Sequence, residues 1–176
     1  MRRATSQLHE QYEVLIHDHQ KQLPVEPELI KRAALLTLAF EKAAPCSLAV
    51  VLFDDVQMRR LHQTYLRLDE PTDVLAFNLD EDYPDEDGRL DGLDRGSDEK
   101  SPPLLGDVFV DVEQAQRQSL DYDHGVKREL VILVSHGVLH LLGYTDDDER
   151  GRDEMLTKCE LVAEHDWLTS LLSRTD

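Results

Sequence analysis

The sequence predicts a small mixed β-sheet covered by helices, of the α+β or α/β class. Three observations lead there. Short apolar runs rich in β-branched residues, above all residues 48–53, alternate with longer segments of helical periodicity. Proline, carboxylates and glycine stand where those helical segments should start and stop. Two strand-like runs, residues 74–79 and 106–112, flank an acidic stretch and read as sheet neighbours across it.

Each element has its own reason. Residues 12–17 alternate, with Tyr12, Val14 and Ile16 on one side, and read as a first strand or the tail of an N-terminal helix. Pro27 suits a first helical turn, and Leu29, Ile30, Ala33, Ala34, Leu36, Leu38 and Phe40 follow as an amphipathic helix that ends before Pro45. Residues 48–53 make a strand, after which Asp54 or Asp55 caps a helix through about Tyr65. Beyond the paired strands come a short helix at 113–120 and a nearly wholly apolar one at 126–142. A last helix runs from about Glu149 to Leu172, its apolar set including Met155, Leu156, Leu161, Val162, Trp167 and Leu168.

The helix at 126–142 carries the chemistry. His136 and His140 interrupt its apolar stripe four residues apart, and at about 100° per residue positions i and i+4 lie one turn apart on one face. Both imidazoles can reach one ion. Gly143 can take the left-handed conformation that ends a helix, which returns Asp146 toward the two histidines. Three protein ligands with an open fourth position is the pattern of catalytic zinc, whereas structural zinc sites are closed by four ligands, usually with cysteines. The competing reading makes His136 and His140 hydrogen-bonded core residues and Asp146 the first of an acidic turn, Asp146-Asp147-Asp148-Glu149.

Length and composition bound the possibilities. The 176 residues are one domain's worth, 1–176, enough to bury a core without disulfides. Cys46 and Cys159 form no CxxC pair, which fits a reducing cytosol and leaves neither as a metal candidate. Residues 4–10 lack the apolar core of a signal peptide, and no apolar run approaches the roughly 18 residues of a membrane span, so a cytoplasmic protein without a membrane partner is expected. With 19 basic against 37 acidic residues the net charge is −18, which opposes phosphate backbones as partners. Much of that charge is local: residues 80–100 carry seven Asp, three Glu and three basic residues, a net −7. The segment 80–103 reads as a flexible acidic insertion. Basic residues gather at Arg59-Arg60, Arg67 and Lys127-Arg128, a phosphate track if the fold brings them together.

The block His136-Gly137-Val138-Leu139-His140-Leu141-Leu142-Gly143-Tyr144 resembles the signature H-G-x-L-H-L-x-G-Y-D-H of the YbeY family, metal-dependent endoribonucleases that mature ribosomal RNA. Further blocks agree in order. Tyr65, Asp69 and Pro71-Thr72-Asp73-Val74-Leu75-Ala76-Phe77 resemble the family's Y-R-x-x-D-x-P-T-D-V-L-S-F, Leu105-Gly106-Asp107-Val108 its L-G-D-I strand, and His124 with Arg128-Glu129-Leu130 the start of its metal helix. The resemblance spans about residues 47 to 160. It implies an α+β fold with a sheet of about four strands and a central metal helix whose site opens at one end of a cleft. It also implies a single-strand-specific endoribonuclease of ribosomal RNA maturation, including processing of the 16S 3′ end, and of ribosome quality control. Precursor ribosomal RNA would be the substrate and the small ribosomal subunit or its proteins the partners, with no DNA expected.

Two departures fall at the chemistry. The family's third histidine is here Asp146, preceded by Thr145 instead of Asp. A carboxylate can ligate zinc, which stays the first expectation for one divalent ion, yet it lowers the charge of the centre and admits manganese or another harder ion. The family arginine after the tyrosine, thought to steady phosphate, is here Leu66, with Arg67 adjacent. One residue in a helix turns a side chain by about 100°, so Arg67 takes that role only where the helix stops near Tyr65 and the backbone becomes irregular. The expected site is therefore His136, His140 and Asp146 on the metal, with His136 and Arg67 acting in catalysis.

The glutamate of H-E-x-x-H zinc peptidases is absent, Gly137 standing in its place, which counts against a peptidase. Asp73, Asp107 and Glu129 are the other carboxylates weighed as a base, each with a ready structural role. The remaining alternative is a non-catalytic ribosome-assembly factor that keeps the metal site and docks through its acidic surface. Tyr144 either lines the cleft or braces the Gly143 turn, and Phe77, Phe109 and Trp167 read as core.

Overall fold

The apolar run at 46–53 becomes the centre of the sheet. Strand β2 (Cys46–Phe53) is buried along its first seven residues, as expected of a strand covered on both faces. The computed structural model describes residues 8, 10–67, 72–78 and 102–168. In it β1 (Tyr12–Asp18) pairs parallel to β2, β2 pairs parallel to β4 (Leu104–Asp111), and β3 (Val74–Asn78) pairs antiparallel to β4. The order is β1-β2-β4-β3, a mixed four-stranded sheet. β3 and β4 are the neighbours that the sequence predicts, and the Tyr12 segment resolves as strand, its ladder running from Tyr12↔Cys46 to Asp18↔Leu52.

Five helices of ten or more residues cover this sheet among the described residues: α1 (Pro27–Phe40), α2 (Asp55–Leu66), α3 (Val112–Asp121), α4 (Val126–Leu141) and α5 (Glu149–Ala163). Alternation along the strands splits the core in two. Leu48, Val50, Leu52, Val108 and Val110 face α1 and α4, whereas Val51, Phe109 and Phe77 face Met58 and Leu61 of α2. α4 lies across β3 and β4, flanked by α1, α3 and α5, so it is the central helix of an α+β fold. No helix among the described residues is long and apolar enough to cross a membrane.

Local chemistry sets the ends of these elements. Asp54, not Asp55, caps α2: its Oδ1 accepts from Gln57 N at 2.9 Å while Gln57 Oε1 accepts from Asp54 N at 3.0 Å, a capping box. Asp55 is thereby left to pair with Arg117 of α3, Nη2 to Oδ1 at 2.6 Å. The last helix is shorter than the periodicity predicts and stops at Ala163. There the ring Nδ1 of His165 accepts from Trp167 N at 3.1 Å, a side-chain bond that competes with continued helix and starts a separate short turn. The expected continuation beyond Leu168 falls outside the described residues, as does the acidic stretch up to residue 101. Pro102 and Pro103, at the end of the expected insertion, are instead tied to β2, Ser47 donating to their carbonyls at 3.1 and 2.8 Å.

Candidate metal centre

His136 and His140 lie on the last two turns of α4, and the chain after Leu141 reverses through a motif that the sequence of Gly143 permits. Gly143 has φ +90°, which L side chains rarely adopt. Its N–H donates to His140 O at 2.9 Å and that of Tyr144 to Leu139 O at 3.1 Å, the two crossed bonds of a Schellman ending. Tyr144 packs with Leu139, Met155 and Cys159, completing the apolar contact of that motif. The reversal carries Asp146 back over the helix end.

The three expected side chains meet. His136 Nε2 and His140 Nε2 are 3.0 Å apart, Asp146 Oδ2 is 3.4 Å from His136 Nε2, and Asp146 Oδ1 is 3.8 Å from His140 Nε2. One ligand atom from each lies within 4.8 Å of the others, a cluster that could hold a metal ion. The chemistry of the donors fits. The Nδ1 of His140 is 3.0 Å from the carbonyl of Tyr144, which can only accept, so the proton sits on Nδ1 and Nε2 presents a lone pair to the cluster. Burial, aided by the nearby His140, pushes His136 below the ordinary histidine value against the pull of Asp146 and Asp73. A neutral imidazole is what a cation requires. All three residues are partly exposed, and His140 lines a groove of about 500 Å³ with Val74, Ala76, Asn78 and Thr145, so the cluster opens toward solvent along β3.

Gly137 acquires a second meaning. A Cβ there would stand 2.4 Å from Val108 Cγ1 and 3.0 Å from Val74 Cγ2, so this position is pressed onto the sheet. The site at which zinc peptidases carry their catalytic glutamate points into the core here, and no side chain fits. Of the other carboxylates, Asp107 is fully buried in β4, and Glu129 pairs with His124, Oε2 to Nε2 at 3.1 Å, in the first turn of α4. Asp73 accepts from Gln118 Nε2 at 2.7 Å, and it is the one of the three whose charge bears on His136.

Arg67 sits where the condition on it is met. α2 ends at Leu66, and Arg67 is the exposed C-cap in the left-handed conformation, φ 54° and ψ 26°, so its side chain leaves the direction that a continued helix would impose. Other basic residues among those described are engaged locally. Arg128 pairs with Glu160 and with Glu164, and Arg117 is occupied by Asp55, while Arg59 and Arg60 line a shallow pocket with Gln63 on the outer face of α2. Cys46 and Cys159 are buried thiols away from the cluster's donor set.

Sequence reading missed the support behind the site. Tyr144 braces the turn, and it does so through partners distant in the chain: its hydroxyl donates to Glu41 Oε2 at 2.5 Å, and Lys158 Nζ donates to Glu41 Oε1 at 2.8 Å and lies 5.0 Å over the Tyr144 ring. Burial raises the Glu41 carboxyl, yet the Lys158 and Tyr144 hydrogen bonds outweigh it and hold the group below its ordinary value. No local pattern marks Glu41 or Lys158, because each meets Tyr144 only through the packing of α1 and α5.

Comparison with known proteins agrees with this arrangement. The family described as "Endoribonuclease YbeY" matches residues 15–165. A protein named Endoribonuclease YbeY from Desulfitobacterium hafniense (strain Y51) is 39% identical over 133 residues, covering 76% of this chain and 78% of that protein. One of the same name from Moorella thermoacetica is 38% identical over 154 residues, covering 85% and 94%. In fold the chain is similar to the solution structure of TM1509 from Thermotoga maritima, with a TM-score of 0.58 at 21% identity over 93% of this chain and 97% of that one. With its metal-site spacing intact save for Asp146 and its sheet and central helix in place, the chain belongs to the YbeY endoribonuclease family.

Proposed function

We propose that the protein is a metal-dependent endoribonuclease that cuts single-stranded ribosomal RNA precursors, including at the 3′ end of 16S RNA, in the cytoplasm and in contact with the small ribosomal subunit. The observation that carries the reading is the convergence of His136, His140 and Asp146, with His140 lining a groove, in a chain of this family. These three residues would hold one divalent cation, zinc first. When bound, it supplies Lewis acidity, which acidifies water and polarises a phosphoryl oxygen.

The chain's own residues do the rest. His140 is oriented by the Tyr144 carbonyl so that its Nε2 offers a lone pair, and burial lowers His136 toward the neutral form that a cation requires. Arg67, exposed at the end of α2, supplies a guanidinium to a substrate phosphate. Of the three other carboxylates, Asp73 is the one whose negative charge acts on His136. The net charge of −18 argues that affinity for bare RNA is modest and that basic ribosomal proteins help bring the substrate.

Cleavage of a single-stranded RNA by zinc-loaded protein is measured beside its Asp146→Ala variant. Cleavage by the parent and loss in the variant is the expected result. Failure of both, with RNA or ribosome binding intact, overturns the enzyme in favour of an assembly factor.

A further inference from the structure

His140 is held from behind by a chain of contacts that crosses three elements. Its Nδ1 meets the carbonyl of Tyr144, whose hydroxyl meets Glu41 at the C-cap of α1, and Glu41 in turn is bound by Lys158 of α5. From these contacts we propose that Glu41 and Lys158 are positioning residues for the metal centre, clamping Tyr144 so that its backbone carbonyl fixes the Nδ1–H tautomer of His140.

The physical reason lies in what each link can do. A carbonyl oxygen has no proton to give, so its position at 3.0 Å decides which imidazole nitrogen is protonated. That carbonyl belongs to the first residue beyond a glycine in a left-handed conformation, where the N–H is tied back to Leu139 but the carbonyl itself lies outside the helical ladder. The Tyr144 ring is the anchor: its body packs on Leu139, Met155 and Cys159, and its hydroxyl end is bound by Glu41. Glu41 is suited to receive it, with a side chain only 14% exposed and its second oxygen on Lys158. Lys158 contributes twice, through Glu41 and through the ring face at 5.0 Å. Without the clamp the Schellman bonds still close the turn, but the Tyr144 ring loses its outer hold, its carbonyl drifts from Nδ1, and the proton of His140 distributes over both nitrogens. A proton on Nε2 competes directly with a cation.

This inference rests on the metal-centre reading, and the test separates the two. Zinc alone is titrated against a chromophoric chelator into the parent, Glu41→Ala, Glu41→Gln, Lys158→Met and, as a control, Phe109→Ala on the other face of the sheet. The His140 tautomer is read in the metal-free proteins from its ring ¹⁵N shifts. Loss of a partner that orients a metal-bound histidine costs about 10- to 100-fold in affinity. Glu41→Ala is expected to lose zinc affinity in that range and to show a mixed tautomer, Lys158→Met a smaller loss. Glu41→Gln, which still accepts from the Tyr144 hydroxyl, recovers most of both. Zinc affinity and tautomer unchanged in Glu41→Ala overturn the proposal, as does an equal loss in an equally destabilised Phe109→Ala. A parent that binds no zinc at all overturns the metal-centre reading itself.

Discussion

The carboxyls of Asp111 and Asp55 face one small pocket where α3 and α2 begin, and they are driven in opposite directions. Burial, then the hydrogen bond and charge of Asp55, push Asp111 up to about 7 against the backbone N–H groups of Gln114 and Glu113, which its carboxylate accepts at 3.1 and 3.0 Å. The Arg117 hydrogen bond holds Asp55 below its ordinary value.

This pair makes stability fall toward neutral pH. Between its ordinary value and about 7, Asp111 binds a proton in the folded chain that it releases on unfolding, so the contribution is complete below about pH 4 and lost as pH rises through 7. Asp111→Asn keeps an acceptor for the two N–H groups and removes the titration. In urea denaturation at pH 4, 5.5 and 8 the parent should lose stability relative to the variant as pH rises. A constant difference between the two across that range refutes the assignment.

Asp146→His should make the centre more zinc-like. A third neutral imidazole raises the net charge of the loaded site by one unit and replaces a hard oxygen donor with a softer nitrogen. Cleavage of single-stranded RNA should then set in at lower pH, with zinc gaining over manganese as the activating ion. Unchanged pH and metal profiles would mean that the Asp146 carboxylate does not reach the ion.

Gly137→Ala tests the closeness of α4 to the sheet. The added carbon meets Val108, a fully buried β-branched residue on β4 that has no flexible end to move. Overpacking of this kind costs about 1–3 kcal/mol, more than the roughly 1 kcal/mol that alanine gains over glycine in a helix. A lower midpoint in chemical denaturation is expected, while an unchanged or higher one shows that the helix has room to lift.

Arg67→Gly separates backbone from charge. Arginine in a left-handed C-cap is strained where glycine is not, so the variant should gain up to about 1 kcal/mol in stability. If the guanidinium holds a phosphate, the same variant loses affinity for single-stranded RNA and its log–log salt slope becomes shallower by about 0.7. Stability gained with RNA binding intact would make Arg67 a solvated surface residue.

What the sequence makes legible is what it encodes locally. His136, His140, Gly143 and Asp146 lie within one helix end and its turn, and every one of their relations follows from 3.6 residues per turn and one positive φ. The central strand, the Pro27 helix and the pairing of β3 with β4 are legible for a similar reason, since apolar periodicity survives in the final burial. Tyr12, Val14 and Ile16 are ambiguous alone, and only the Cys46–Phe53 strand beside them makes them a ladder. The end of α5 at Ala163 depends on one ring nitrogen of His165, and Glu41 meets Tyr144 across 103 residues. Such contacts leave no periodic trace.

All three candidate metal donors fall within the eleven residues 136–146, whereas Val14 must find Leu48, and Leu48 must find Gly106, across far longer stretches of chain. Strand pairing of that range is the slow part of folding, while a helical turn forms in about a microsecond or less. The unfolded chain thus holds a two-imidazole chelate whenever residues 136–140 turn helical. A divalent cation held by these residues would be taken up before the sheet closes, and by binding both states it would stabilise the native fold by less than its affinity for the finished site implies.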